Sequence, residues 1–258
     1  LPSSDTAAGA LGALPIFGFV ARHDRPLPDG TAQEAAWMER AAATGRAAAH
    51  LWHGEPGLVV PRSYERSPRW AQACTASAAA GWPVQVRSSG GGLVPQGPGV
   101  LNLSLCWPVA DGQRMDIDLV YRAFCAELAM ALWRLGLATH RAAVAGSFCD
   151  GRYNLAVGAA KLVGTAQCWR RLKGVQGVLA HALVLVDADP VALTGRCNHF
   201  EVALGHERRY RAEAVTSVAQ AWPTAHAGAA APADLSARTA QVLAEQFARV
   251  LPPRVQAA

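Results

Sequence analysis

The six cysteines (Cys74, Cys106, Cys125, Cys149, Cys168 and Cys197) include no Cys-x-x-Cys pair. That argues against a structural zinc site, and no residue is assigned to a metal. In a chain of 258 residues, cysteines scattered among apolar neighbours read as reduced thiols, so a cytoplasmic location is expected. No run of five like charges occurs, although Arg170, Arg171 and Lys173 cluster, as do Arg208, Arg209 and Arg211. With no recognisable nucleic-acid module, nucleic acid is not an expected partner. Ala7 to Val20 is mildly apolar but broken by Gly and Pro. It is too short to cross a bilayer and lacks the flanks of a signal peptide, so no membrane association is expected. Charged residues are only 17% of the chain and hydrophobic ones 51%, which excludes a disordered chain and allows a sizeable core. No internal repeat is visible. The net charge of +5 weakly favours an acidic partner.

What is present reads as an α+β chain. Thr31-Ala-Gln-Glu34 has the spacing of a capping box and opens an Ala-rich helix to about Ala43. Ile16 to Val20 suits an edge strand, and Ala48 to Trp52 and Leu58 to Pro61 suit strands. Ser67-Pro68 opens a second helix. Leu101, Leu103 and Leu105 alternate with Asn102 and Ser104, the period of a half-buried strand. Asp116 opens the clearest helix, with Val120, Phe124, Leu128, Leu132 and Leu135 at spacings of three and four, and Gly136 stands at its end. Val178 to Val186 is a near-continuous apolar run, the mark of a buried strand. Asp189-Pro190 caps a short helix ending near Gly195, and Cys197 to Arg208 suits another. Asp234 caps a last helix, which Pro252-Pro253 ends. The expected architecture is a mixed sheet core with flanking helices gathered on one face. The expected division is a tail and edge strand over 1–30, a catalytic domain over 31–220, and a linker with a helix over 221–258.

Two stretches stand out from this background. Arg87-Ser88-Ser89-Gly90-Gly91-Gly92 places a glycine triplet between two strands. Such a triplet is costly in backbone entropy, but it allows close approach of a ligand and N–H groups that converge on an anion. No Gly-Lys-Ser/Thr follows, so it is not a P-loop, and its spacing does not fit a dinucleotide fingerprint. Cys149-Asp-Gly-Arg-Tyr-Asn154-Leu-Ala-Val-Gly-Ala-Ala-Lys161-Leu-Val-Gly164-Thr165-Ala-Gln167 reads as strand, glycine turn, lysine, strand. Taken together the two stretches resemble the lipoate-protein ligase A family within the biotin/lipoate ligase group. That family carries Arg-Arg-x-x-Gly-Gly-Gly-x-Val-x-His, an Asn-x-Ser strand, then Gly-Arg-Asn-Asp and Lys-x-x-Gly-Ser/Thr-Ala. The order is kept from about Thr31 to about Val218. Gln96 stands in place of the family's His, and Tyr153-Asn154 in place of Asn-Asp.

The resemblance implies attachment of a lipoyl or octanoyl group to a lysine of an acceptor. Lipoyl domains of 2-oxoacid dehydrogenases and the glycine cleavage H protein are the implied acceptors, and acyl carrier protein is an implied donor. A carboxylate must be activated before an amine can take it. One route makes an acyl-adenylate from lipoic or octanoic acid with ATP and Mg2+, and this is the leading expectation. The other passes the chain through a cysteine thioester. Lys161 is the candidate cation for the carbonyl or phosphate oxygens. Arg87, Ser88, Ser89 and Gly90 to Gly92 are expected to line the substrate pocket. Gln96, Asn102, Asn154, Gly164, Thr165 and His181 are further candidates. Cys149, in the loop before Lys161, is the candidate nucleophile, with Cys197 behind it; Lys161 would supply a cation to such a thiolate. The segment after Val218 is shorter than the accessory domain of many single-chain ligases, which gives the thioester route weight. A non-catalytic acyl-binding relative is the reading from another class.

Overall fold

The computed structural model describes residues 14–110 and 115–248. The first thirteen residues of the expected 1–30 segment and the Pro252-Pro253 stop lie outside the described residues. The core is a seven-stranded sheet in the order β1 (Val20–Arg22), β2 (Ala48–Trp52), β6 (Val100–Val109), β10 (Val175–Leu185), β9 (Ala160–Leu172), β8 (Asn154–Val157) and β7 (His140–Ala142). β1 and β2 run parallel and the remaining pairs antiparallel. A second, three-stranded sheet sets β3 (Gly57–Pro61) between β4 (Val84–Arg87) and β5 (Val94–Gln96).

Alternation along β10 and β6 sorts the two faces of the large sheet. Val178, Ala180, Ala182 and Val184 join Leu101, Leu103 and Leu105 in the main core. That core is closed by α3 (Ile117–Trp133), α5 (Val218–Ala225) and α6 (Leu235–Ala248), where Phe124 meets Phe247 edge-on. Asp116 caps α3 by accepting the Asp118 N–H, and Gly136 beyond its end has φ of 76°. The C-terminal helix is thus part of the same core as the sheet.

Leu179, His181 and Leu183 point to the opposite face, as do Asn102, Ser104 and Cys106. This face is not open to water. α1 (Gly30–Thr44) crosses β6 and β10, and the small sheet with α2 (Trp70–Ala79) and α4 (Pro190–Leu204) covers the rest. Helices therefore flank both faces rather than one, and the strand expected to be half-buried is covered on both sides. Asn102 and Ser104 are fully buried. α4 also runs unbroken through Gly195, where two helices were expected; a single glycine costs about 1 kcal/mol in a helix and does not end one that packing holds.

The capping box at Thr31 is not formed. Asp29 caps α1 instead, accepting the Ala32 N–H at 2.9 Å. Glu34 is thereby released from the backbone and turns inward to the covered face of the sheet. Among the described residues no helix is long and apolar enough to cross a membrane.

Candidate active site

A cleft lies between the covered face of the large sheet and the small sheet. Its walls are largely apolar: Trp52, Val59, Val94, Phe148, Leu179 and Leu183. Two polar clusters interrupt them, one around Cys149 and one around His181.

The first cluster joins both motifs of the sequence. Arg87 ends β4 and is held by three carbonyls, donating to Val59 at 3.1 Å, Gly90 at 3.1 Å and Gly92 at 2.5 Å. Burial pushes its guanidinium down, and the Cys149 sulfur and Glu34 pull it back up. These bonds curl the glycine triplet around the Cys149 loop. The Gly92 N–H donates to Cys149 Sγ at 3.2 Å, and Arg87 Nη2 lies 3.9 Å from the same sulfur. Glycine is required at position 91, where φ is 106° and a Cβ would sit 2.7 Å from that sulfur. Cys149 itself has φ of 47°, a left-handed conformation that costs a non-glycine residue roughly 1–2 kcal/mol.

Lys161 enters from the other side. It is the second residue of β9, 1% exposed, and not a lysine at the tip of a hairpin. Its Nζ donates to the carbonyls of Phe148 at 2.7 Å and Cys149 at 3.1 Å, so it fixes the loop that carries the thiol. Burial pushes its ammonium down to about 8, against the upward pull of Cys149 and Asp150. Gly164 makes room for it: a Cβ there would meet Lys161 Nζ at 3.0 Å. Thr165 lines the cleft and donates to the Tyr153 carbonyl at 2.7 Å. Asn154 is buried beside them with its Nδ2 unpartnered.

The second cluster lies across the cleft on β10 and β6. His181 Nδ1 meets Glu34 Oε1 at 2.6 Å, Ser104 donates to the same oxygen at 2.6 Å, and Trp52 Nε1 donates to Ser104 at 2.9 Å. Burial pushes the Glu34 carboxyl up, but His181 and the Ser104 bond outweigh it and hold the group below its ordinary value. Gln96 and Asn102 exchange two amide bonds of 2.9 Å each. Both are buried, so Asn102 is engaged with Gln96 rather than left free in the cleft.

Of the expected site residues, Arg87, Ser89, Gln96, Cys149, Lys161, Gly164, Thr165 and His181 line this one cleft. Gly90 holds Arg87 from outside it, and Gly91 and Gly92 form the turn against Cys149. Ser88 is exposed and lies near Cys168 instead. Cys197 does not line the cleft; it is fully buried among Leu193 and Phe200, with its thiol pushed well up by burial. Glu34, Trp52, Ser104 and Phe148 were not foreseen. The local signal for Glu34 is an acidic residue three positions beyond Thr31, and that spacing is equally the spacing of a capping box.

Comparison with known proteins identifies the family. The model of the lipoyl protein ligase A/B catalytic domain matches residues 30–224. The chain is 45% identical to an uncharacterized protein of Cupriavidus necator, over 82% of this chain and 88% of that one. It is 37% identical to an octanoyl-[GcvH]:protein N-octanoyltransferase of Kyrpidia tusciae, over 74% of this chain and 68% of the relative. Among solved structures, a lipoate-protein ligase A bound with ATP superposes with a TM-score of 0.63 at 18% identity, covering 91% of this chain and 85% of the other. A Thermoplasma acidophilum protein with bound lipoic acid gives 0.62 at 20% identity, covering 91% and 86%. These two support the mixed-sheet fold. The chain belongs to the lipoyl protein ligase A/B catalytic domain family and is an enzyme of the octanoyltransferase and lipoate-protein ligase kind.

Proposed function

We propose that this enzyme transfers an octanoyl or lipoyl group to a lysine of an acceptor domain through a thioester on Cys149. The observation that carries the reading is the seat of the Cys149 sulfur. It lies on a glycine-lined turn, bonded to the Gly92 N–H at 3.2 Å, at the wall of an apolar cleft. Burial of a medium-length chain in such a cleft stabilises the complex by roughly 0.8 kcal/mol per CH₂.

The steps follow from that seat. The Cys149 thiolate attacks the carbonyl of the carrier-bound acyl group. The bond to the carrier breaks, and its leaving amine or thiolate takes up a proton. The neutral amine of the acceptor lysine then attacks the thioester carbonyl, the acyl–sulfur bond breaks to release the Cys149 thiolate, and the nitrogen gives up a proton as the amide forms. Lys161 is the nearby group suited to exchange those protons, because burial has brought it to about 8. Arg87 and the Gly92 N–H face the charge that gathers on sulfur. Glu34 and His181 line the cleft across from them and would contact the bound acyl group, with Ser104 holding Glu34 from behind.

This order puts the thioester ahead of the acyl-adenylate, which needs ATP and Mg2+. The name of the Kyrpidia tusciae relative, an octanoyl-[GcvH] transferase, supports a protein-borne donor. A Thermoplasma acidophilum ligase solved with its E2 lipoyl domain supports a lipoyl-domain acceptor. The cytoplasm is the proposed location, in keeping with the free cysteines. The test is a donor panel. Octanoylated H protein or octanoyl carrier protein should octanoylate an apo lipoyl domain without nucleotide, whereas octanoate with ATP and Mg2+ should not. Transfer that occurs only with octanoate and ATP contradicts the reading.

A further inference from the structure

A second cavity opens on the Cys149 loop, where Gly91, Gly92 and Cys149 line it and Cys149 also lines the first cleft. Its character is different. Gly146, Ser147, Asp150, Arg208, Arg209 and Tyr210 complete its walls, and large apolar side chains are absent from that set.

Charge is arranged in two zones. Asp150 stands next to Cys149 in the chain. One of its oxygens accepts the Val144 N–H at 2.6 Å, and its other oxygen has no protein partner among the described residues. Ser147 is 3% exposed with an Oγ that has no partner, a buried polar atom that a ligand's N–H could satisfy. Arg208 and Arg209 are exposed at the rim. They are not on a loose loop. Asn198 exchanges two bonds with the Tyr210 backbone at 2.7 and 2.8 Å, and the Tyr210 hydroxyl donates to buried Glu201 at 2.6 Å. His206 meets the other Glu201 oxygen at 2.6 Å, and the Arg211 N–H donates to the Gly146 carbonyl at 2.8 Å. Glu201 thus ties the arginine loop to α4 and to Tyr64, which donates to it at 2.7 Å.

We propose that this cavity is the port for the lysine arm of the acceptor domain, with Asp150 and Ser147 receiving the amine beside Cys149 and Arg208 and Arg209 pairing with acidic side chains that flank the lysine. A carboxylate beside the sulfur suits an entering ammonium and opposes a phosphate. The arginines at the mouth then suit an acidic protein surface around that ammonium. The proposal rests on the thioester reading of Cys149, and it explains how chain and amine reach one sulfur from two sides.

The test separates the two half-reactions. The enzyme is acylated with octanoyl-N-acetylcysteamine, a small thioester without an acidic surface, and acyl-Cys149 is followed by intact mass. An apo lipoyl domain with acidic residues beside its lysine is then added. For Arg208→Glu/Arg209→Glu, on exposed side chains, the second step should slow about tenfold or more relative to the first, and its salt dependence should flatten. An acceptor whose acidic flanks are changed to lysine should recover transfer by this variant. The port is overturned if the ratio of the two steps matches wild type, or if AMP or inorganic phosphate competes with the acceptor at this cavity. If wild type forms no acyl-Cys149 at all, the thioester reading fails first and the port falls with it.

Discussion

The Cys149 loop and the buried face of α4 each present a thiol that the sequence marked as a candidate nucleophile. Their surroundings differ in every respect that matters for chemistry. Cys149 Sγ meets a backbone N–H at 3.2 Å and a guanidinium at 3.9 Å, and two cavities open on its loop. Cys197 is fully buried among Leu193, Phe200 and Leu204. Burial there pushes the thiol well up, and the carboxylate of Glu201 one turn away pushes it further. Residue type is the same in both places. The backbone donors, the cations and the space decide which sulfur can react.

The sharpest way to break that contrast is to remove each sulfur. Cys149→Ser should lower acyl transfer by about three orders of magnitude or more, because the nucleophile itself is lost, and steady-state transfer to an apo lipoyl domain measures it. Lys161→Met should lower it by roughly 10²–10³-fold, the usual contribution of a positioned proton carrier. The same variant carries a stability signature. Lys161 is brought to about 8 in the folded chain from 10.5, so the unfolded chain binds more protons between those values. Stability should therefore rise with pH from about 8 to about 10.5 in wild type, and that part of the slope should vanish in the variant on urea titration across this window.

Gly91→Ala tests the seat of the sulfur rather than the sulfur. The new methyl would lie 2.7 Å from Cys149 Sγ on a backbone with φ of 106°. Displacing the thiol should reduce kcat/KM by about ten- to hundredfold, with the fold preserved by circular dichroism. The smallest effect is expected at the other thiol. Cys197→Ala should leave transfer unchanged and cost about 1–2 kcal/mol of stability through a small cavity. A loss of transfer in that variant with stability intact would reverse the contrast between the two cysteines.

Much of this was legible in the sequence where the signal is local. The α3 periodicity, the apolar run of β10 and the glycine triplet are short-range patterns, and the structure places them as expected. The convergence of Arg87, Cys149 and Lys161 was legible through two motifs taken together, not through either alone. What stayed hidden depends on contacts between distant segments. Asn102 and Ser104 look like the wet side of a half-buried strand until α1 and the small sheet cover them. Glu34 keeps the spacing of a cap, but Asp29 supplies the cap and Glu34 reaches Ser104, 70 residues away, and His181, 147 residues away. His181 showed no partner in its own strand, so its pairing could not be read from the sequence. Gly195 has the appearance of a stop, yet α4 continues because its buried face packs on both sides of it.

The most direct measurement of the central claim is peptide mapping of the enzyme trapped with an octanoyl-carrier donor in the absence of ATP. One octanoyl group on Cys149, discharged when an apo lipoyl domain is added, is the predicted result. Wild-type enzyme that transfers octanoate only with ATP and never carries the group on Cys149 would contradict it.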